Sequence, residues 1–283
     1  MYTSFLSALL IGLVPMASVP IIQQPPALAI EIAPPSHKID IAEHLSASGV
    51  LVIDMTSGQQ IFGNQQEVQR PMASLTKLMT AILIVEHHDL NEWMTIPKGV
   101  ASAQGNKAYL EEGEQFTVGD VLSALLISSA NDAAQALAIY HAGSESAFVA
   151  EMNHRAGEMG LKDTLYANAS GLDHPRQWST PRDIARLAMM AMGNSDISKR
   201  MSKRGTRIYS QAGEEYLLAH THALMHVDTA VLAGKTGTTV AAGQCLVTLV
   251  QEGGREYLVV LQRSLQRYAD MRVILDVLND SVV

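Results

Sequence analysis

Apolar residues in this chain recur with a period of two near both ends and with helical spacing through the middle. The stretch "GVLVIDMTSGQQIFGNQ" reads as a hairpin. Val50 to Asp54 form one strand, Thr56-Ser57-Gly58 turn the chain, and Gln60 to Phe62 return. "RPMASLTKLMTAIL", Arg70 to Leu83, is an apolar run with helical spacing that begins near Ser74. Thr117 followed by Asp120 forms a pattern like a capping box ahead of "VLSALLI". That helix is expected to stop near Ser128-Ser129, and another to start around Asn131-Asp132. Ser144 caps "ESAFVAEMNHRAGEM", with Gly160 as its stop. In "STPRDIARLAMMAMG", Thr180 is the cap, Pro181 the first helical residue and Gly193 the end.

Beyond Gly205 the period returns to two. "TRIYSQAGEEYLLAH" predicts a hairpin around Ala212-Gly213, and "QCLVTLVQEGGREYLVVLQ" a second one with a Gly-Gly turn. "YADMRVILDVLN" closes the chain as a helix. Consecutive hairpins imply antiparallel pairing. The expected class is therefore α+β: an antiparallel sheet flanked by helices, plus an all-helical lobe.

Composition narrows the function. The chain has 283 residues, 47% of them hydrophobic and 17% charged, which suits a globular protein. A net charge of −8 argues against a nucleic-acid partner, which calls for a basic face. The first 30 residues carry no charged side chain and contain an A-x-A pattern at Ala27 and Ala29. Residues 1–29 therefore read as an export signal, 30–45 as a Pro-containing linker and 46–283 as the main folded domain. The rival is an uncleaved anchor, which Pro15 and Pro20 would interrupt. Cys245 is the only cysteine and lies in an apolar run, so it is expected in the core.

Candidate chemistry starts with Ser74 and Lys77, which share one helix face at i and i+3. A serine hydroxyl needs a base to take its proton, and a lysine with a lowered pKa can be that base. Alone, the pair is better read as a helix cap and a solvated lysine. Two further fragments change that: Ser129-Ala130-Asn131 at the break between two helices, and Lys235-Thr236-Gly237 just before the last strand pair. In this order, S-x-x-K, S-x-N and K-T-G resemble the signature of serine penicillin-binding proteins and related β-lactamases.

The likeness extends over "GEQFTVGDVLSALLISSANDAA", "FVAEMNHRAGEMGLKDT", "ASGLDHPRQWSTPRDIA" and "GKTGTTVAAGQCLV". From about Ser48 to about Leu261 the chain resembles the low-molecular-mass D-alanyl-D-alanine carboxypeptidases. The resemblance implies that Ser74 attacks the D-Ala-D-Ala bond of a peptidoglycan stem peptide, with Lys77 as general base. Ser129 would relay the proton to the leaving amine, and Asn131 would hold the acyl-side amide and Lys77. Lys235 and Thr236 would bind the substrate carboxylate, Gly237 would let the strand edge come close, and the N–H groups of Ser74 and Thr238 would form the oxyanion hole. β-Lactams would be covalent inhibitors, and no cofactor or metal is implied. Two departures stand out: Ala130 where the family usually has Gly, and Thr238 where relatives often carry an aromatic residue or His. The small β-domain and C-terminal anchor helix that many relatives carry are expected to be absent.

Rival readings are a D-alanyl-D-alanine endopeptidase, which the motifs do not separate from a carboxypeptidase, and a β-lactamase. The second conflicts with the absence of any Glu between Glu158 and Glu214 to activate a deacylating water. A non-catalytic wall-binding module would have lost a motif residue, and none is lost. His220, His222 and His226, with His87-His88 as another pair, raise zinc binding as a further chemistry. The basic stretch Lys199 to Arg207 reads as solvated surface.

Overall fold

Strands from the two ends of the chain form one sheet. A computed structural model describes residues 32–33, 41–227 and 230–280. In chain order the elements are β1 (Gly49–Asp54), β2 (Gln60–Asn64), a 3-10 turn (Ala73–Thr76), α1 (Lys77–His87), β3 (Trp93–Thr95) and β4 (Gln115–Thr117). Next come α2 (Val118–Leu126), α3 (Asn131–Ala142), α4 (Glu145–Glu158), α5 (Pro181–Gly193) and α6 (Ser195–Met201). The chain continues through β5 (Gly205–Tyr209), β6 (Glu215–Ala219), β7 (Val231–Thr239), β8 (Gly243–Glu252), β9 (Arg255–Ser264) and α7 (Arg267–Asp280). The main sheet has the order β2-β1-β9-β8-β7, and its pairings are antiparallel.

Alternation sorts the sheet residues between two cores. Leu51, Ile53, Val247, Leu258 and Val260 face the larger core, with α1 and the helical lobe. Val50, Val52, Leu246, Val259 and Leu261 face the other, against Met271, Ile274 and Leu278 of α7. α1 is buried from Lys77 to Ile84, as a helix apolar on every side must be. It touches α2, α3, α5 and α6.

The predicted caps form. Thr117, Ser144 and Thr180 accept from the N–H groups of Asp120, Ala147 and Asp183. Gly160 takes a left-handed φ of 69° just past α4. Gly253 and Gly254, at φ 55° and 77°, make the predicted β8–β9 turn, a conformation glycine adopts without a Cβ clash.

Three differences from the sequence reading have local causes. The run beginning near Ser74 opens as a 3-10 turn before α1, and no side-chain cap bond closes the head of either element, so Ser74 is not a cap. The K-T-G triplet lies inside an edge strand, β7, rather than before the strand pair. Gly234, Lys235 and Gly237 hide the alternation there. The stretch Lys199 to Arg207 is partly structural: Arg200, on α6, donates to the Gly119 carbonyl and to Ser123 Oγ at 3.0 Å. Residues 1–29 lie outside the described residues. Within 30–45, Ala33 bridges to Gln59 and Ala42–His44 form a 3-10 turn. Among the described residues no helix is long and apolar enough to cross a membrane.

Candidate active site

The turn that carries Ser74 is clamped by two glycines. A Cβ added at Gly171 would lie 2.0 Å from the Ala73 carbonyl oxygen. One at Gly237 would lie 2.9 Å from both Ala73 Cβ and the Ser74 nitrogen. Ala73 itself sits at φ 49°, a strained value for a residue with a side chain. The loop before α5 and the edge strand β7 therefore both press directly on the serine's backbone.

Lys77 is fully buried, and its Nζ meets three oxygens: Asn131 Oδ1 at 2.6 Å, the Ser170 carbonyl at 2.6 Å and Ser74 Oγ at 2.9 Å. Burial holds this amine well below the usual lysine range; the Lys235 cation adds to the fall and the Asp132 carboxylate opposes it. A neutral amine has two N–H groups and one lone pair. The first two oxygens can only accept, so they take both N–H groups. In the neutral form the remaining lone pair would face the Ser74 hydroxyl, 2.9 Å away. Asn131 is oriented for this role because its Nδ2 donates to the Gln104 carbonyl at 2.6 Å, leaving Oδ1 for Lys77.

Lys235 is also fully buried. Its Nζ donates to Ser129 Oγ at 2.6 Å and to the Thr236 carbonyl at 2.9 Å. Burial, then the Arg267 cation, lowers it to about 7. Ser129 has φ 59°, so the backbone of the S-x-N triplet is itself strained. Thr236 Oγ1 pairs with Thr221 Oγ1 at 2.6 Å, and the exposed Thr238 accepts from Arg267. The other arm of Arg267 donates to the carbonyls of Gly237 and Cys245, both at 2.9 Å.

The eight residues expected from the sequence thus converge. Ser74, Lys77 and Asn131 touch directly, as do Lys235, Ser129 and Thr236. The close approach of Gly237 to Ser74 joins the two sets, and Thr238 follows on the same strand. Sequence reasoning missed the Ser170 and Gln104 carbonyls, Thr221 and Arg267. Backbone carbonyls leave no trace in residue types. Arg267 is separated from K-T-G by two strands, so only the β8–β9 hairpin brings it back.

The histidines lie in two clusters, but their ring nitrogens point to other partners. His222 Nε2 meets Thr248 Oγ1 at 2.8 Å, and His226 Nε2 accepts no ligand but donates to the His220 carbonyl at 2.8 Å. His88, on the helical lobe, bonds Glu92 at 2.5 Å and His141 at 2.8 Å. Among the described residues no group of three or more His, Cys, Asp or Glu is arranged to hold a metal ion. Cys245 is buried as expected, and burial pushes its thiol up to about 11.

Comparison with known proteins agrees with this geometry. A family model described as D-alanyl-D-alanine carboxypeptidase matches residues 36–264. The chain is 30% identical over 220 residues to the D-alanyl-D-alanine carboxypeptidase DacF of Bacillus subtilis, covering 76% of this chain but 57% of that one. It is 30% identical over 219 residues to a D-alanyl-D-alanine endopeptidase of Pseudomonas aeruginosa, covering 76% of this chain and 70% of the relative. A crystal structure of a D-alanyl-D-alanine carboxypeptidase from Mycobacterium tuberculosis superposes with a TM-score of 0.80 at 28% identity, over 89% of this chain and 97% of that one.

Proposed function

Because the chain belongs to the D-alanyl-D-alanine carboxypeptidase family, we propose that it is a serine-type D-Ala-D-Ala carboxypeptidase that trims peptidoglycan stem peptides through an acyl-enzyme. The observation that carries the reading is the buried Lys77 amine, 2.9 Å from Ser74 Oγ and held by two acceptor oxygens, with its proton affinity lowered by burial. Ser74 Oγ bonds to the penultimate D-Ala carbonyl carbon as its proton passes to Lys77. The oxyanion is held by the N–H groups of Ser74 and Thr238, donors set before charge develops. As the C–N bond breaks, the leaving D-Ala nitrogen takes a proton through Ser129. The Lys235 ammonium, with Thr236, holds the D-Ala carboxylate, while Asn131 holds the acyl-side amide. Water then attacks the ester, releases the trimmed peptide and returns the proton to Ser74.

The substrate lies outside the cytoplasm, so the protein acts after export, consistent with the uncharged segment at residues 1–30. β-Lactams, strained cyclic mimics of the D-Ala-D-Ala acyl donor, acylate the same serine. A second reading, endopeptidase cleavage of peptide crosslinks, is favoured by the Pseudomonas aeruginosa relative, of which this chain covers 70%.

Mass spectrometry of products decides between them. A monomeric pentapeptide should lose one D-Ala, and Ser74→Ala should abolish both this release and labelling by a fluorescent penicillin. Cleavage of a crosslinked dimer alone would transfer the assignment to the endopeptidase. Turnover surviving in Ser74→Ala would defeat both.

A further inference from the structure

We propose that Asp132, one residue past the S-x-N triplet, is a positioning residue for the catalytic amine, acting through the loop of residues 104–110. This rests on the peptidase reading of Ser74 and Lys77. Asp132 is 1% exposed and has no cation bonded to its carboxylate among the described residues. It accepts instead from backbone N–H groups: Ala108 and Leu110, both at 3.1 Å, and its neighbour Ala133 at 2.9 Å. Two of these donors flank Tyr109, which is forced to φ 63° and stands 73% exposed. A left-handed Tyr is strained, so the loop holds this shape only where something over-determines it. The paired bonds to one buried carboxylate are that constraint.

What the loop does is orient Asn131. The Gln104 carbonyl accepts from Asn131 Nδ2 at 2.6 Å and the Asn106 carbonyl accepts from the Asn131 N–H at 2.7 Å. Gly105 lies so close that an added Cβ would sit 2.8 Å from Asn131 Nδ2. With the loop released, Asn131 Nδ2 loses the carbonyl that holds it away from Lys77 and keeps Oδ1 on the amine. A flipped amide would present N–H groups to the amine and turn its lone pair away from Ser74. The path runs from the Asp132 carboxylate to the loop, to the Gln104 carbonyl, to Asn131 Oδ1 and so to Lys77 Nζ. Asp132 also acts directly. The charges facing Lys77 are the Lys235 ammonium from β7, which lowers its proton affinity, and the Asp132 carboxylate from α3, which raises it.

The two effects separate in a pH profile of acylation by a fluorescent penicillin, measured on variants shown folded by near-ultraviolet circular dichroism. Asp132→Asn removes the charge and one acceptor. Its acylation rate should fall on the order of tenfold to a hundredfold, as misplacement of a catalytic group does. Its acid limb should move to lower pH, because Lys77 loses the charge that raised its affinity for a proton. Asp132→Glu keeps the charge but, one methylene longer, breaks the paired bonds; its rate should fall while the limb stays in place. Wild-type rate and limb in Asp132→Asn would overturn the proposal, as would a lower rate with an unmoved limb. Should Asp132→Asn not fold, wild-type acylation in Asp132→Glu would overturn it alone. Absence of labelling in the wild-type protein would instead remove the peptidase reading.

Discussion

Lys77 and Lys235 carry the same side chain into one buried cleft, yet their neighbours set them apart. Lys77 has Asn131, Ser170 and Ser74 around its nitrogen and is depressed by burial and by Lys235. Lys235 is lowered by burial and Arg267, to about 7. The first is suited to accept a proton and the second to remain the cation. The second-order acylation constant reports the free protein. It should therefore rise on the acid side as Lys77 loses its proton, and fall on the alkaline side through about 7 as Lys235 does. Lys235→Arg should lower the rate but carry the alkaline limb upward, since a guanidinium keeps its charge. Stopped-flow acylation across pH checks both. At this scale the sequence was highly informative. Hydroxyls, amines and an amide at three separated motifs mark a site by their residue types. Gln104, Gly171 and Ser170 were not legible, because what they contribute is backbone shape and a carbonyl direction.

Among the elements, β7 is where the sequence reading and the structure diverge most usefully. The hairpins before and after it show clean alternation, whereas "LAGKTGTTV" interleaves glycine, lysine and threonine and shows none. The strand exists because β8 pairs with it from Val231 to Thr239. Its irregular composition follows from contact with the serine turn rather than from a core. Gly237 has no left-handed φ, so its requirement is for space alone. Gly237→Ala must push β7 away from Ala73 and the Ser74 nitrogen, a small-to-large clash costing about 1–3 kcal/mol. Thermal melting should fall accordingly, and penicillin acylation should slow more steeply than stability alone accounts for, since one oxyanion donor moves with the strand. An acylation rate equal to wild type would mean the strand edge is not part of the site.

For the whole molecule, the helical lobe and the sheet share the larger core, and the cleft lies where they meet. Directly behind β7, His222 is fully buried and His220 nearly so. Burial is the main cause lowering them, to about 3 and about 4. Both are therefore neutral in the folded chain and protonated when unfolded below about 6.5, the ordinary histidine value. Between that pH and about 3 the unfolded state binds more protons, so stability must fall as pH falls. Denaturant melts from pH 7 to 4 should record this loss. His222→Asn, which cannot be protonated, should flatten the acid part of the curve. The α+β class and the order of elements were legible because hairpins and caps are local signals. The docking of the lobe on the sheet was not, because it depends on contacts such as Lys235 Nζ on β7 to Ser129 Oγ at 2.6 Å, between residues far apart in sequence.

The pairing of β1 with β9 joins Val52 to Val259 and Gly49 to Gln262. Most of the described chain separates these partners, and loop-closure entropy slows such distant encounters. The central sheet therefore cannot close until the β8–β9 hairpin is in place. Because the elements flanking that hairpin, β7 and α7, carry Lys235 and Arg267, Ser74 stands without either cation beside it until the sheet closes.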